Sequence, residues 1–283
     1  MTKPGSAVSQ PWRAVTIAGV GLIGGSFALA LRKAGFEGRI IGVSSTRTVQ
    51  AALERGAIQE ALPLEEAAAQ SDVIFLSQPI EKILETLSVL DKHVRPGTLI
   101  TDAGSTKAAI VERAALAIHA GRFVGGHPMA GKEARGVAAA DADLFQGRPW
   151  VLTSPEPELE RWIEKIGARL VVLGAAEHDR LVGIVSHLPQ LLSTALASTF
   201  ASEPAAMRIA GPAAIELTRL ALSPYDIWRD ILATNTAEID VALANFITRL
   251  QQIRANLSDD AAMVREFDKA GDAARTLRRS AVR

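Results

Sequence analysis

The chain has 283 residues and a mass of 30.0 kDa, and its 48% apolar and 22% charged residues are ordinary for a folded protein of one or two domains. The 31 Lys and Arg residues balance the 31 Asp and Glu residues, so no overall basic field would attract nucleic acid or an anionic membrane surface. The lack of cysteine excludes disulfides, thiolate nucleophiles and cysteine-ligated zinc or iron–sulfur sites.

The N-terminal segment, residues 1–12, contains Pro4, Gly5 and Pro11 and has no hydrophobic periodicity, which predicts a loose leader. It lacks the basic start and apolar run of a secretory signal. No segment approaches the about 20 uninterrupted apolar residues of a membrane helix. We therefore expect a soluble, cytoplasmic protein without a membrane partner.

From residue 13 onward, short apolar runs that favour strands alternate with helical patterns. The predicted strands span residues 14–18, 39–43, 72–76, 99–101, 123–125, 150–153 and 169–173. The predicted helices span residues 22–34, 49–55, 80–90, 105–119 and 156–166. Because the strands are apolar throughout and alternate with helices, they predict an α/β fold with a doubly wound parallel sheet covered on both faces.

After Gly174 the strand-like runs stop, and the rest of the chain is rich in Ala and Leu at helical spacing. The sequence thus predicts an α/β domain over residues 13–174 and an all-helical domain over residues 175–283. An apolar stripe follows one side of the helical region, through Ile227, Ile231, Ile239, Leu243, Phe246, Leu250 and Ile253. Because this stripe is too extended for its own neighbours to cover, we expect the helical domain to form a homodimer.

A G-x-G-x-x-G motif, formed by Gly19, Gly21 and Gly24, follows the first predicted strand and opens the first helix. In this position the first glycine permits a tight turn, the second lets a pyrophosphate approach the backbone, and the third lets helix and strand pack closely. The N–H groups at the helix start, around Leu22 and Ile23, face the phosphates. The motif predicts a Rossmann-type domain that binds a dinucleotide.

The end of the second strand bears on which nicotinamide cofactor is bound, because an acidic residue there would bind the ribose 2′-hydroxyl of NAD. Residues 43–48 contain no acid. Instead Ser44, Ser45 and Thr46 offer hydroxyls and Arg47 offers a guanidinium, a set suited to a 2′-phosphate. The sequence favours NADP over NAD. The alternative is that Arg47 is only a solvated residue at the helix start and that the enzyme accepts both cofactors.

Two polar segments follow later strands, where the carboxyl ends of a parallel sheet face the cofactor crevice. Residues 101–107 read TDAGSTK, and residues 125–133 read GGHPMAGKE. A neutral His127 could accept the proton of a substrate hydroxyl, and Ser105 could orient the same oxygen. The five histidines form no metal-binding pair on one helix face, so we expect no metal site.

These two segments closely resemble the prephenate and arogenate dehydrogenases of tyrosine biosynthesis. The resemblance continues through residues 178–179 (HD), 186–190 (SHLPQ) and 228–231 (WRDI), and covers the chain from Val15 to about Leu250. It implies an NAD(P)-dependent oxidative decarboxylation of prephenate or arogenate, giving 4-hydroxyphenylpyruvate or tyrosine. It also implies that His127 is the proton acceptor and that Ser105 holds the substrate hydroxyl in register with it.

The resemblance further implies a set of substrate-binding residues. Arg219 aligns with the carboxylate-binding arginine of the family, His187 with a wall of the pocket, and Glu133 with an acidic residue near its mouth. Trp228 is expected to pack over the pocket. Gln190 stands where some prephenate-preferring members have histidine. Its amide can accept from the ammonium group of arogenate or donate to the keto group of prephenate, so both substrates stay open. The resemblance as a whole slightly favours arogenate or the use of both.

The chain departs from the family at residues 211–216, which read GPAAIE where the family tends to have a glycine-rich stretch ending in a basic or aromatic residue. One polar contact to the substrate side chain is therefore missing.

Structural roles compete with these functional ones. Ser105 could be only a helix N-cap and His187 only a core histidine. His178 and Asp179 are interpreted as interdomain or helix-start structure.

Two other functions remain open. A 3-hydroxyacid or imine reductase shares the glycine turn and a helical second domain. Such enzymes commonly use a lysine of the helical domain to relay a proton, and here only Lys269 is available. A non-catalytic NADP-binding sensor would keep the fold without turnover.

Overall fold

The computed structural model describes residues 12–132 and 134–282, which form two compact units. The first unit runs to Val182 and includes Leu222–Asn235, and the second unit comprises Gly183–Ala221 and Thr236–Arg283. The predicted leader lies outside the described residues except for Trp12. This side chain is buried, with its ring 6.0 Å from the ring of Trp162, because a large apolar indole gains by packing on the domain.

The first unit is built on a six-stranded parallel sheet, which confirms the predicted doubly wound fold. Its strands are β1 (Ala14–Ala18), β2 (Arg39–Val43), β3 (Glu60–Ala61), β4 (Val73–Leu76), β5 (Leu99–Asp102) and β6 (Arg122–Val124), in the order β3-β2-β1-β4-β5-β6. Its helices include α1 (Leu22–Lys33), α2 (Thr46–Glu54), α3 (Leu64–Gln70), α4 (Ile80–Leu90) and α5 (Ala108–Ala117). Because the strand order reverses between β1 and β4, a ligand crevice is expected beyond their carboxyl ends.

Strand β4 shows why the predicted strands are apolar throughout. Its side chains alternate between two hydrophobic cores, because successive residues of a strand point to opposite faces. Phe75 lies in one core with Phe27 of α1, at a ring distance of 4.4 Å, while Ile74 and Leu76 lie in the other core with Ile83 of α4. Both faces of this strand are therefore buried.

Two elements of the first unit had no sequence prediction. The strand β3 has only two residues, and the helix α3 has seven, of which two are buried alanines. Neither is long enough to give a clear hydrophobic period.

A second, three-stranded sheet follows, formed by β7 (Gly126–Pro128), β8 (Pro149–Leu152) and β9 (Arg169–Val172), with α6 (Pro157–Lys165) before β9. Strand β7 runs antiparallel to β8, which in turn runs parallel to β9. The alternation of strands and helices had indicated that these strands would join the main parallel sheet. They form a separate sheet instead. The separation occurs at Gly125, whose N–H donates to the Thr153 hydroxyl at 2.9 Å and whose carbonyl accepts from the Thr153 N–H.

Two helices from the predicted helical domain have their contacts in the first unit. They are α7 (Ala175–Val182) and α11 (Tyr225–Thr234). Asp179 of α7 accepts hydrogen bonds at the start of α5, and the Thr234 hydroxyl of α11 lies 2.7 Å from the Thr106 hydroxyl. Such polar contacts between distant parts of the chain leave no trace in hydrophobic periodicity.

The second unit is helical. It contains α8 (Leu188–Ala201), α9 (Pro204–Met207), α10 (Pro212–Leu217), α12 (Thr236–Ala255) and α13 (Asp260–Val282). Of the predicted stripe, Ile239 is buried, whereas Leu250 is exposed. Further large apolar side chains are exposed along the two long helices: Val241, Ile247, Val264, Phe267 and Leu277.

One helical segment, Ala175–Ala201, is long and apolar enough to cross a bilayer by length and by its mean hydropathy of 1.3. Its part without acidic or basic residues, 181–201, is interrupted by polar side chains at Ser186, His187 and Gln190, so it is not an uninterrupted apolar run. Core helices of soluble proteins have the same length and composition.

Candidate active site

The glycine turn lies between β1 and α1, and the protein itself leaves no room for a side chain at two of its three glycines. Gly19 has a φ of +95°, and a Cβ there would lie 2.7 Å from the carbonyl oxygen of Ser77. A Cβ at Gly24 would overlap the Gly19 carbonyl oxygen and the Ser77 hydroxyl. At Gly21, by contrast, a Cβ would meet no atom within 4 Å, so this face of the turn is open to a ligand.

This arrangement fits a dinucleotide. Gly21 is the N-cap of α1, and the first turn of α1 holds no acidic residue. The N–H groups at the start of a helix have no partner within it and carry a partial positive charge, so they bind phosphate. The turn therefore has both the room and the donors for a pyrophosphate.

A cavity of about 400 Å³ lies beyond the carboxyl ends of β1, β4 and β5 in the first unit. Three predicted site residues, Leu22, Ile23 and Ser105, line it. The other lining residues come mainly from the loop after β4, the loop after β7 and α11, and include Ser77, Gln78, Arg135, Asp226, Asp230 and Ile231. The cavity thus occupies the position where a doubly wound sheet binds its ligand.

Helix α11 is fixed to this side of the first unit by polar contacts. The buried Asp230 carboxylate accepts the Glu81 N–H at 3.2 Å at the start of α4, and Arg135 makes a two-pronged pair with Asp226 at 3.0 and 3.2 Å. The predicted site residue Trp228 packs against the core that contains Ile231 and donates from Nε1 to the Ser223 hydroxyl at 3.0 Å. Trp228 therefore anchors α11 on the first unit.

The predicted 2′-phosphate residues follow β2 at an exposed edge. Ser45 is the N-cap of α2, and its hydroxyl lies 2.9 Å from the Thr48 hydroxyl. Ser44, Thr46 and Arg47 are exposed, and the first turn of α2 holds no acidic residue. A second helix start is thus available beside these hydroxyls.

His127 lies on β7 and takes part in a chain of polar side chains. Its Nδ1 lies 2.8 Å from Nε2 of His178, and Nδ1 of His178 lies 2.8 Å from Oδ1 of Asp179. With both imidazoles neutral, the carboxylate accepts from Nδ1 of His178, and Nε2 of His178 accepts the Nδ1–H of His127. This assignment leaves a lone pair on Nε2 of His127, which is the form a proton acceptor needs.

Asp179 is ionised and firmly held. Burial raises the pKa of its carboxyl, but hydrogen bonds from His178 and from the N–H groups of Ala108 and Lys107 outweigh this and hold the pKa below its ordinary value. The two backbone bonds measure 2.8 and 2.7 Å. Asp179 therefore caps α5 from another helix.

Ser105 lies in the loop between β5 and α5 and is not the helix cap, because α5 begins at Ala108 with Lys107 at the N-cap. The loop is held by Asp102, whose Oδ2 accepts the Gly104 N–H at 2.7 Å and whose Oδ1 accepts the Gly126 N–H at 3.0 Å. The Ser105 side chain is half-buried and lines the cavity.

Three further predicted residues lie in the second unit. His187 is buried at the end of a π-helical turn, Gly183–His187, a distortion that is frequent at functional sites. Gln190 of α8 is buried, and its Nε2 donates to the Leu220 carbonyl at 2.8 Å. Arg219 is exposed and begins a short 3₁₀ turn, Arg219–Leu222. Glu133 lies outside the described residues.

Sequence reasoning assigned no chemical role to His178, Asp179, Asp102 or Lys107. All four are buried. The available signal was their position in two segments that carry the family resemblance, residues 101–107 (TDAGSTK) and 178–179 (HD). Each also has a partner far along the chain that is visible only in the folded structure: His178 bonds to His127, Asp179 to the Lys107 N–H, and Asp102 to the Gly126 N–H.

Two family profiles match the chain. The profile described as "Prephenate dehydrogenase, nucleotide-binding domain" matches residues 27–176, and "Prephenate dehydrogenase, dimerization domain" matches residues 174–268. The prephenate dehydrogenase of Lactococcus lactis subsp. cremoris is 35% identical over 265 residues, which cover 91% of this chain and 75% of the relative.

Two crystal structures give a similar result. Prephenate dehydrogenase from A. aeolicus, in complex with hydroxyphenyl propionate and NAD+, matches with a TM-score of 0.85 at 29% identity, over 95% of this chain and 99% of that chain. Synechocystis arogenate dehydrogenase matches with a TM-score of 0.80 at 30% identity, over 93% of this chain and 99% of that chain.

Proposed function

The chain belongs to the prephenate dehydrogenase family, which makes it a nicotinamide-dependent oxidoreductase, and from this premise we propose that it oxidatively decarboxylates arogenate and prephenate with a preference for NADP. The products would be tyrosine and 4-hydroxyphenylpyruvate. The observation that carries the proposal is the chain of contacts from His127 through His178 to Asp179, because it prepares one imidazole nitrogen to accept a proton.

The glycine turn and the start of α1 would hold the cofactor, which when bound supplies the acceptor for the hydride that leaves the carbinol carbon of the substrate. Nε2 of His127 accepts the proton of the carbinol hydroxyl as that hydride leaves. Ser105 holds the same oxygen from the β5–α5 loop. The bond from the ring to its carboxylate then breaks, CO₂ leaves, and the bonding electrons pass through the ring to the new carbonyl oxygen. The ring becomes aromatic, and this oxygen takes up a proton to give the phenol.

His178 and Asp179 act on the proton step through His127. The Asp179 carboxylate fixes the proton of His178 on Nδ1, and His178 fixes the proton of His127 on Nδ1. The charge that develops on His127 is then shared with a buried carboxylate two hydrogen bonds away.

The substrate carries two carboxylates and needs cations to bind. We assign Arg219 to one of them, because a guanidinium takes a carboxylate through two parallel hydrogen bonds. His187 is assigned to the pocket wall, Glu133 to its mouth and Trp228 to the support of α11.

The amide of Gln190 favours arogenate. Its NH₂ group donates to the Leu220 carbonyl at 2.8 Å and to the Thr194 hydroxyl at 3.4 Å, which leaves its oxygen to accept. An acceptor suits the ammonium group of arogenate better than the keto group of prephenate.

NADP preference is supported by the edge of β2. No acidic residue stands at positions 43–48, where a carboxylate would repel a 2′-phosphate. The hydroxyls of Ser44, Ser45 and Thr46, the Arg47 guanidinium and the start of α2 would receive it.

We also propose a homodimer formed through the second unit, in the cytoplasm. The support is the matching dimerization-domain profile and the apolar side chains that α12 and α13 leave exposed. Exposed apolar surface of this extent is typical of an interface.

The test is a set of four assays that follow reduced nicotinamide, with prephenate or arogenate and with NAD or NADP. We expect turnover with both substrates, fastest with arogenate and NADP. Turnover with prephenate and NAD alone would refute both preferences and keep the reaction. No turnover in any assay, with cofactor binding intact, would refute the function and favour a reductase or a sensor.

A further inference from the structure

We propose that Asp102 is a positioning residue that sets the register between Ser105 and His127, an inference that rests on the function proposed above. The Asp102 side chain is fully buried at the end of β5. One of its oxygens accepts the N–H of Gly104 at 2.7 Å, and the other accepts the N–H of Gly126 at 3.0 Å. Each of these glycines directly precedes a residue assigned to the chemistry.

The two glycines fit closely against Asp102. A Cβ on Gly104 would lie 2.9 Å from the Asp102 carboxylate, and a Cβ on Gly126 would lie 2.6 Å from the Asp102 carbonyl oxygen. A side chain at either position would push the backbone away from the carboxylate. Glycine at these two positions lets the Ser105 loop and β7 approach Asp102, and at Gly104 it also avoids the side chain of Ile110.

Lys107 supplies the opposite charge. Its ammonium group bonds to Oδ2 of Asp102, and both side chains are fully buried. Burial lowers the pKa of Lys107, whereas the attraction of Asp102 and Asp179 opposes this. A buried ion pair of this kind seldom adds net stability over an apolar pair, so its use here is to hold the Asp102 carboxylate in place.

The contacts form a closed ring around the Ser105 loop. Asp102 holds the loop at Gly104, Asp179 holds its other end at the Lys107 N–H, and Asp179 leads through His178 back to His127. The ring closes at the Gly126 N–H, next to His127. A change at Asp102 is thus transmitted to both sides of the reacting oxygen.

A merely structural ion pair makes a different prediction from a positioning carboxylate. If Asp102 only neutralised Lys107, replacing both by uncharged residues would restore folding and activity together. If Asp102 positions the two loops, the uncharged pair would fold but stay slow, because the amide of Asn cannot accept both N–H bonds and carries a donor of its own.

The experiment compares Asp102→Asn, Lys107→Met and the double variant with the wild type, using the substrate and cofactor on which the wild type is active. We expect Asp102→Asn and the double variant to lose about 10- to 100-fold in kcat, with substrate KM and cofactor Kd changed much less. Ser105→Ala should cost less in the Asp102→Asn background than in the wild type, because one effect acts through the other. Recovery of kcat in the double variant, or additive losses, would overturn the proposal.

A second measurement does not depend on turnover. Ring resonances of the histidines can be followed by NMR and assigned for His127 through His127→Asn. The combined Asp102→Asn and Lys107→Met variant should shift the His127 signals. The signals of His93, in the turn after α4, should stay in place. Unchanged His127 signals would refute the positioning role, whereas an inactive wild type with shifted signals would refute only the proposed function.

Discussion

His127 and His178 are 51 residues apart in the chain, yet their ring nitrogens lie 2.8 Å apart in the folded first unit. Neither histidine can be assigned a role alone. His178 is buried and bonded to Asp179, and this pair decides which nitrogen of His127 carries the proton.

The first prediction concerns this contact. His127→Asn removes the base and should lower kcat by about 10²–10⁴-fold. His178→Leu should lower kcat by up to about 10²-fold, because the base remains but its tautomer is no longer fixed. The double variant should be no slower than His127→Asn, since His178 acts only through His127. Steady-state kinetics with His93→Leu as control checks this, and additive losses would contradict it.

The second prediction concerns Arg219. Arg219→Ala should raise the substrate KM by about 10- to 100-fold with a smaller effect on kcat, because a charge-assisted hydrogen bond to a carboxylate is lost. The matched control is Arg208→Ala, another arginine of the second unit. An unaltered KM in Arg219→Ala would remove this residue from substrate binding.

The third prediction concerns cofactor choice. Ser44→Asp should lower kcat/KM for NADP and raise it for NAD, with the ratio changing at least about tenfold, because the new carboxylate repels a 2′-phosphate and accepts from a 2′-hydroxyl. Gln50→Ala, on the helix α2 that follows Ser44, is the control. If the ratio stays constant, the 2′ position is recognised elsewhere.

The fourth prediction concerns the dimer. Phe267 on α13 is 71% exposed in the single chain, and Phe267→Glu should convert a dimer to monomers by placing a charge in an apolar interface. Lys269→Glu lies on another side of the same helix and should leave the assembly intact. Sedimentation of both variants decides the matter, and a dimeric Phe267→Glu protein would place the interface elsewhere.

The fifth prediction concerns acid stability. The Asp72 carboxylate accepts the N–H groups of Arg13 at 2.6 Å and Ala14 at 3.0 Å and binds Arg95 at 2.7 Å. Burial raises its pKa, but these bonds outweigh burial and hold the pKa below the ordinary 3.8. The unfolded chain therefore takes up this proton first as the pH falls. The stabilisation is complete above pH ~4 and is lost as the pH falls from there through the folded-state pKa.

Asp72→Asn should consequently be less stable than the wild type at neutral pH and should lose less on acidification. The measurement is urea unfolding followed by tryptophan fluorescence, since all four tryptophans lie in the first unit. Asp268→Asn, at an exposed position on α13, is the control. Equal pH slopes for Asp72→Asn and wild type would contradict the role of Asp72.

The sequence alone was sufficient for the alternation of strands and helices, the glycine turn and the family resemblance, because these depend on local patterns of residues. β1 and β2 lie at the predicted residues, Ala14–Ala18 and Arg39–Val43, since a strand buried on both faces needs an unbroken apolar run. The motif around His127 also indicated the reaction class.

Only the tertiary structure decided what His178, Asp179, Asp102 and Lys107 do, that β7 leaves the main sheet, and that α7 and α11 pack on the first unit. These features depend mainly on contacts between residues far apart in the chain, such as His127 with His178 and Asp102 with Gly126. Such bonds have no period and no fixed spacing, and each donor or acceptor is bound only where folding brings its partner within reach.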